Sequence, residues 1–294
     1  MRIFDAHIHA NNTVTTSETL LENMEKAGVY GGCVFSNYPP EYWPGQNGTS
    51  FEERCDELQG WTEGYRDRLF PVIWIHPYEK DIEKNIAKAI DMGVMGFKII
   101  CNNFYVGEKE SVKVLSAIAE TGKPVLFHSG ILWDGSENSK YNRPLAWESL
   151  IDVPNLRFSM GHCGWPWHDE CIALYGKFLN GYTTRDNGAE MFFDLTAGTP
   201  IIYRKELLFK LLHVGYDVPN NILFGTDSSA ECYNKNGFAE GWIHRDNAIY
   251  DEFGVSQAIR EKIYGENLMR FLGLKEKDFI HISPVPDNPG GWSL

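Results

Sequence analysis

Ile3-Phe-Asp5-Ala-His7-Ile-His9-Ala10 is the stretch whose reading decides the fold. Its β-branched and aromatic residues alternate with polar ones at period two, the pattern of a strand buried among other elements. On such a strand Asp5, His7 and His9 share one face and Phe4, Ala6 and Ile8 the other, so the apolar set is expected against a layer of helices. The two imidazoles then stand about 7 Å apart along the strand, close enough for both to reach one metal ion.

Working outward, about eight such runs recur along the chain at intervals of roughly 25 to 40 residues, the spacing of a strand, a loop, a crossover helix and a return. They are Ile3–Ala10, Gly32–Ser36, Phe70–Ile75, Met95–Ile100, Pro124–His128, Leu156–His162, Met191–Leu195 and Asn221–Asp227. Helical patterns fill the gaps. Ser17 to Gly28 has a Ser or Thr cap and a closing glycine, and Lys84–Met92, Ser111–Thr121 and Lys205–Val214 are followed by Gly93, Gly122 and Gly215. Alternating strands and helices of this number predict an α/β fold, a (β/α)8 TIM barrel with its site at the C-terminal ends of the strands. No Pro-, Ser- or Gly-rich linker divides the chain, so residues 1–294 read as a single domain. The Pro- and Gly-rich stretch 284–294 reads as a strap or a subunit contact.

Composition narrows the function. The 294 residues are 43% hydrophobic and 14% aromatic, enough for a large core. Lys plus Arg number 27 against 40 Asp plus Glu, a net charge of −13 that repels phosphate backbones and anionic lipids, so neither nucleic acid nor membrane is expected as a partner. A small molecule is expected instead, and a homodimer is compatible with the sequence. Six scattered cysteines without a C-x-x-C pair read as free thiols of a reducing compartment. With neither a signal-peptide pattern nor a long apolar window, this points to the cytoplasm.

Three more polar residues end apolar runs: His128 after Val125-Leu-Phe, His162 after Met160-Gly, and Asp227 after Phe224-Gly-Thr. If the barrel closes, all converge with His7 and His9 on one mouth. Three neutral imidazoles and a carboxylate are a donor set for a divalent ion, zinc first, with a position left open for water. The loops beyond the strands carry Trp43, Trp133, Trp165, Trp167, Tyr38, Tyr105, Tyr141 and Tyr233, walls for an unsaturated small ligand. His76, His168, Glu231, Cys232, Tyr233 and Arg143 are further candidates for substrate contact, Arg143 through a bidentate carboxylate pair or simply as an exposed arginine. His213, His244 and His281 read as surface or packing residues.

The ordered set D-A-H-I-H, G-F-K, F-H-S, G-H-C-G, G-T-D-S and the later Ile263-Tyr-Gly-Glu-Asn-Leu-Met-Arg-Phe-Leu resembles the amidohydrolase superfamily, in particular its amidohydrolase-related, aminocarboxymuconate semialdehyde decarboxylase-like branch. The resemblance spans nearly the whole chain. It implies that His7, His9, His128 and Asp227 hold one metal and that His162 faces the substrate as acid, base or carbonyl polariser. Lys98, in Met95-Gly-Phe-Lys98, stands where two-metal members carry a carboxylated lysine. Carboxylation would let Lys98 and His162 support a second ion; otherwise Lys98 remains an ammonium that pairs with a carboxylate such as Asp5 or with a substrate anion. One ion is favoured.

The expected activity is hydrolysis of a small amide, ester or lactone by metal-activated water, with Asp227 carrying the proton. Non-oxidative decarboxylation of an unsaturated or aromatic acid on the same residues is the nearest alternative. A metal-dependent nuclease is disfavoured by Lys98 and by the charge. An inactive, ligand-binding barrel is the reading from another class. No G-x-G-x-x-G or Walker loop supports nucleotide chemistry.

Overall fold

The computed structural model describes residues 1–10, 15–43, 45 and 48–274; the stretch 284–294 and His281 lie outside them. Strands and helices alternate as the apolar runs predict: β1 Ile3–His9, α1 Ser17–Lys26, β2 Val29–Phe35, α2 Phe51–Thr62, β3 Leu69–Trp74, α3 Ile82–Asp91, β4 Gly96–Ile99, α4 Lys109–Glu120 and β5 Val125–Phe127. Next along the chain are β6 Arg157–Met160, α5 His168–Thr184, β7 Glu190–Asp194, α6 Ile201–His213, β8 Ile222–Leu223, β9 Ser228–Ser229, α7 Phe238–Glu252, α8 Gln257–Glu261 and α9 Asn267–Leu272. The fifth crossover uses 3-10 turns at Ser139–Asn142 and Pro144–Leu150 in place of an α-helix. Helix ends obey local chemistry. The Thr16 hydroxyl accepts from Thr19 N at the start of α1, and Gly28 and Gly122 past α1 and α4 take φ of +76° and +72°, a region costly for any residue with a Cβ.

All pairings are parallel, in the order β8-β7-β6-β5-β4-β3-β2-β1-β9. The expected eighth run is thus split. Its first part pairs with β7, and its continuation β9 pairs with β1 through Ile8↔Ser228 and His9↔Ser229. Ala6 N donates to Phe224 O at 2.8 Å between the two parts, closing a TIM-barrel-like cylinder. Alternate strand residues sort into two apolar layers. Cys33, Phe35, Phe70, Val72, Leu126, Phe192 and Leu223 pack inside, whereas Val34, Phe97, Ile99, Phe127, Phe158 and Phe193 pack against the helices. The inner layer is stopped at the N-terminal ends of the strands by α9, whose Phe271 ring lies 4.9 Å from that of Phe192.

One expectation for β1 is corrected. Phe4 and Ala6 belong to the inner layer, not to the helix side, and only Ile3 and Ile8 face the helices. Simple alternation fails because the register slips between Asp5 and Ile8, where three steps on β1 match two on β2. An extra residue in one strand reverses the facing of the residues beyond it. Phe4 and Ala6 can therefore be inside before the slip and His7 and His9 inside after it.

Candidate active site

At the mouth the inner positions become polar. His7 and His9 end β1, Lys98 lies on β4 between the outward Phe97 and Ile99, His128 follows β5, His162 follows β6, Asp194 ends β7 and Asp227 follows β8. His7 Nδ1 lies 2.7 Å from Asp194 Oδ2. Burial raises the Asp194 carboxyl to about 6, still ionised at neutral pH, and holds His7 well below the usual imidazole range. A neutral His7 must then donate from Nδ1 to Asp194, which leaves its lone pair on Nε2. That Nε2 is 3.3 Å from Asp227 Oδ1, and His9 Nε2 is 3.2 Å from the same oxygen. One ligand atom each from His7, His9 and Asp227 lies within 4.8 Å of the others, a group of two imidazoles and a carboxylate fit for a divalent ion. Burial works to raise the Asp227 carboxyl, and the His162 ring and the hydrogen bond from His9 outweigh it and hold it well below the ordinary range.

His162 is fixed differently. Gly198 N donates to its Nδ1 at 3.1 Å, so a neutral ring carries its proton on Nε2, which lies 4.0 Å from Asp227 Oδ2. Burial again keeps the ring neutral. A Cβ at position 198 would fall 2.4 Å from His162 Nδ1, so only glycine lets this backbone donor approach. Gly225 makes room beside the carboxylate, since a Cβ there would sit 2.6 Å from Thr196 Cγ2, 3.0 Å from Asp194 Oδ1 and 3.1 Å from His7 Cβ. His162 and Asp227 themselves hold φ of +57° and +58°, left-handed conformations that a non-glycine residue adopts at a cost and that gather at functional sites.

His128 stands outside the compact group. Its Nε2 faces Ile131 O at 3.2 Å, and its ring packs edge-on against His162 with centroids 4.9 Å apart. Lys98 Nζ is 3.3 Å from His7 Nε2 and 5.1 Å from the Phe35 ring centroid, and burial lowers its pKa to about 8 against the pull of Asp194 and Asp227. Its carboxylate neighbours are thus those two, not Asp5. Asp5 spends its oxygens on His7 N, Thr226 N, Thr226 Oγ1 and Tyr233 Oη, tying β1 to the segment where the eighth strand is broken.

Several candidates for substrate contact go elsewhere. Tyr233 is buried on Asp5. His76 is buried, with Nε2 on Asn103 Oδ1 and Nδ1 accepting from Tyr78 N. His168 Nδ1 is 3.1 Å from Cys163 O. Arg143 pairs with Glu170 and covers Trp167, and Tyr105 packs on Tyr141. Asp194, which sequence reasoning passed over, carried the same signal as the others, an acidic residue at the end of an apolar run.

An amidohydrolase family model matches residues 5–274. The chain belongs to the amidohydrolase family. No curated protein matches it by sequence at a significant level. Solved structures show the same fold at low identity. A probable 2-pyrone-4,6-dicarboxylic acid hydrolase from Acinetobacter baumannii with citric acid bound is 13% identical (TM-score 0.59, covering 93% of this chain and 100% of that one). A 2,6-dihydroxybenzoate decarboxylase from Rhizobium is also 13% identical (TM-score 0.63, 93% and 99%). An amidohydrolase from Burkholderia multivorans with bound zinc is 11% identical (TM-score 0.64, 94% and 100%). The family and these neighbours comprise enzymes, hydrolases and a decarboxylase among them.

In this amidohydrolase barrel the polar group floors a cavity of about 330 Å³. Tyr38, Trp43, Trp133 and Trp165 line it as the sequence predicts, joined by Tyr42, Trp74, Ile100 and Leu132. Tyr42 and Trp74 pack with centroids 4.9 Å apart, and Trp74 lies 6.1 Å from His9. All six cysteines are free, and no helix among the described residues is long and apolar enough to cross a membrane.

Proposed function

We propose that this chain is a metal-dependent hydrolase of small amides, esters or lactones, holding one zinc ion through His7, His9 and Asp227 with His128 alongside. The observation that carries the reading is the division of labour between two tautomers: His7 is set to offer a lone pair and His162 to offer a proton. A divalent ion at the first group supplies Lewis acidity and makes water nucleophilic at neutral pH.

The protein's own residues do the rest. Asp227 keeps Oδ1 against the two histidines and has Oδ2 on the side of His162. Oδ2, ionised, accepts the proton of the attacking water and returns it to the leaving nitrogen or oxygen. His162 Nε2–H donates to the substrate carbonyl oxygen and stabilises the charge that develops there. Asp194 holds His7 in the required tautomer, and the aromatic walls exclude bulk water. One ion is favoured over two because a neutral His162 has Nδ1 occupied by Gly198 N and a proton on Nε2, which leaves no lone pair for a second ion. Lys98 then remains an ammonium near Asp194 and Asp227. A soluble catalytic protein that pairs as a homodimer in the cytoplasm fits this reading.

Zinc-loaded protein assayed against a panel of lactones, esters and amides, with carbon dioxide monitored in parallel on unsaturated and aromatic carboxylic acids, tests the reading. Net addition of water, with kcat/KM falling by about 10²–10⁴ in Asp227→Asn, is expected. Release of carbon dioxide without hydrolysis overturns it in favour of a decarboxylase. A protein that retains no metal and turns over nothing overturns it in favour of a binding module.

A further inference from the structure

We propose that the part of the substrate remote from the scissile bond carries a positive charge, an ammonium or quaternary ammonium group, held by the aromatic faces of the outer cavity with Asp134 as its counter-ion. The inference deepens the hydrolase reading and rests on it for the word substrate, but not for the binding itself. The cavity has two ends of different charge. At the floor Lys98 and an ion would balance Asp194 and Asp227. At the outer end the lining is Tyr38, Tyr42, Trp43, Trp133 and Trp165 together with one carboxylate, Asp134.

Among the described residues that carboxylate has no cationic partner. Its oxygens accept only from Ser136 N, at 3.0 Å, and from Asn138 Nδ2. Burial and then the charge of Asp134 push the Tyr42 hydroxyl above its ordinary range, which places that charge beside the aromatic wall. Among the described residues Lys98 is the sole Lys or Arg lining the cavity, and it lies at the floor. The sequence around this lining agrees: residues 38–43 and 131–139 contain no Lys or Arg but include Glu41, Asp134 and Glu137, and Lys140, next in the chain, lies over the Tyr141 ring.

The rings are arranged as faces, not as a solid plug. Tyr38 meets Tyr42 and Trp43 at centroid distances of 5.8 and 6.0 Å on one side. Trp133 stacks on Trp165 at 5.9 Å and 13° on the other. Trp133 is 75% exposed although it lines the cavity, a large apolar surface left open to a ligand. Several electron-rich faces and one unpaired carboxylate favour a weakly hydrated cation and repel a second carboxylate. A polyanionic substrate would need guanidinium or ammonium groups that this rim lacks.

The test is a tryptophan-fluorescence titration of the zinc-loaded protein with acetylcholine and with its uncharged isostere 3,3-dimethylbutyl acetate, which needs no turnover. Acetylcholine is expected to bind about tenfold more tightly. Asp134→Asn and, separately, Trp133→Leu are expected to remove most of that preference while metal content stays the same. Equal affinity for the two probes, or a preference that survives both substitutions, overturns the proposal. If the cation is preferred and no ester or amide is hydrolysed, the hydrolase reading falls and this one stands; hydrolysis without charge preference gives the converse.

Discussion

Two ionic groups sit back to back at the end of β7, and they are completed differently. Behind the strand, Arg204 on α6 meets Asp246 on α7 through Nε–Oδ1 at 2.9 Å and Nη2–Oδ2 at 2.6 Å, and its Nη1 donates to Leu195 O at 2.6 Å. Both side chains are buried, and although burial works to lower the guanidinium pKa, Asp246 outweighs it and raises it. In front of the strand, Asp194 holds His7 at 2.7 Å, and Asp227, Lys98 and the imidazoles of His7, His9 and His162 meet at 3.2 to 4.0 Å, none of them in a closed fork. A structural pair saturates its donors and acceptors; a site leaves atoms aimed at something not supplied by the chain. The two meet at adjacent residues, since Arg204 grips the carbonyl next to Asp194, so the structural clamp fixes the strand end from which the site's carboxylate projects.

The comparison breaks most sharply under substitution. Replacing His7 and His9 together by alanine removes two of the three ligands in the compact group. Metal analysis should show loss of the bound ion and kinetics a loss of turnover to background. Retained metal would dissolve the distinction between the two groups. Asp246→Ala should do the opposite. It strands a buried guanidinium and is expected to cost about 3–5 kcal/mol of stability in denaturant titrations, while the fraction that remains folded still binds metal.

How far the sequence reached divides along the same line. The barrel, its strands and the convergence of His7, His9, His128, His162 and Asp227 on one mouth followed from period-two runs ending in polar residues, because strand ends are where a parallel barrel exposes its inner face; Lys98 was singled out only by the family resemblance. Three things were out of reach. The slip in β1 depends on pairing with β2 and leaves no mark in composition. The tautomers of His7 and His162 are set by Asp194 and by Gly198 N, partners 187 and 36 residues away, and distant hydrogen bonds are invisible in a linear pattern. The fate of the loop residues was equally hidden: Tyr233 and His76 are spent on neighbours and Trp133 is left open, although all three look alike as polar or aromatic residues beyond a strand.

Asp194→Asn sharpens the comparison more gently. The amide keeps the shape but no longer enforces a proton on His7 Nδ1, so metal affinity should fall about 10- to 100-fold, measured by competition with a chelator, with stability near that of the parent. An unchanged affinity would mean that the tautomer is held by something other than this 2.7 Å contact.

The smallest expected effect concerns Asp5, which is buried like Asp246 yet has no cation against it among the described residues. Burial raises its pKa from 3.8 to about 7, and its four hydrogen bonds, from His7 N, Thr226 N, Thr226 Oγ1 and Tyr233 Oη, oppose that only in part. Between those two values the folded chain holds a proton here that the unfolded chain has lost. Folding stability from this group is therefore largest below about pH 4 and declines as pH rises toward 7, by at most about 1.4 kcal/mol per pH unit. Asp5→Asn cannot ionise. The stability of the parent minus that of the variant, measured without metal, should fall as pH rises across this interval and level off above it. A difference that instead grows with pH would mean that the four donors, not burial, govern this carboxylate, and that it belongs with the saturated pair behind β7.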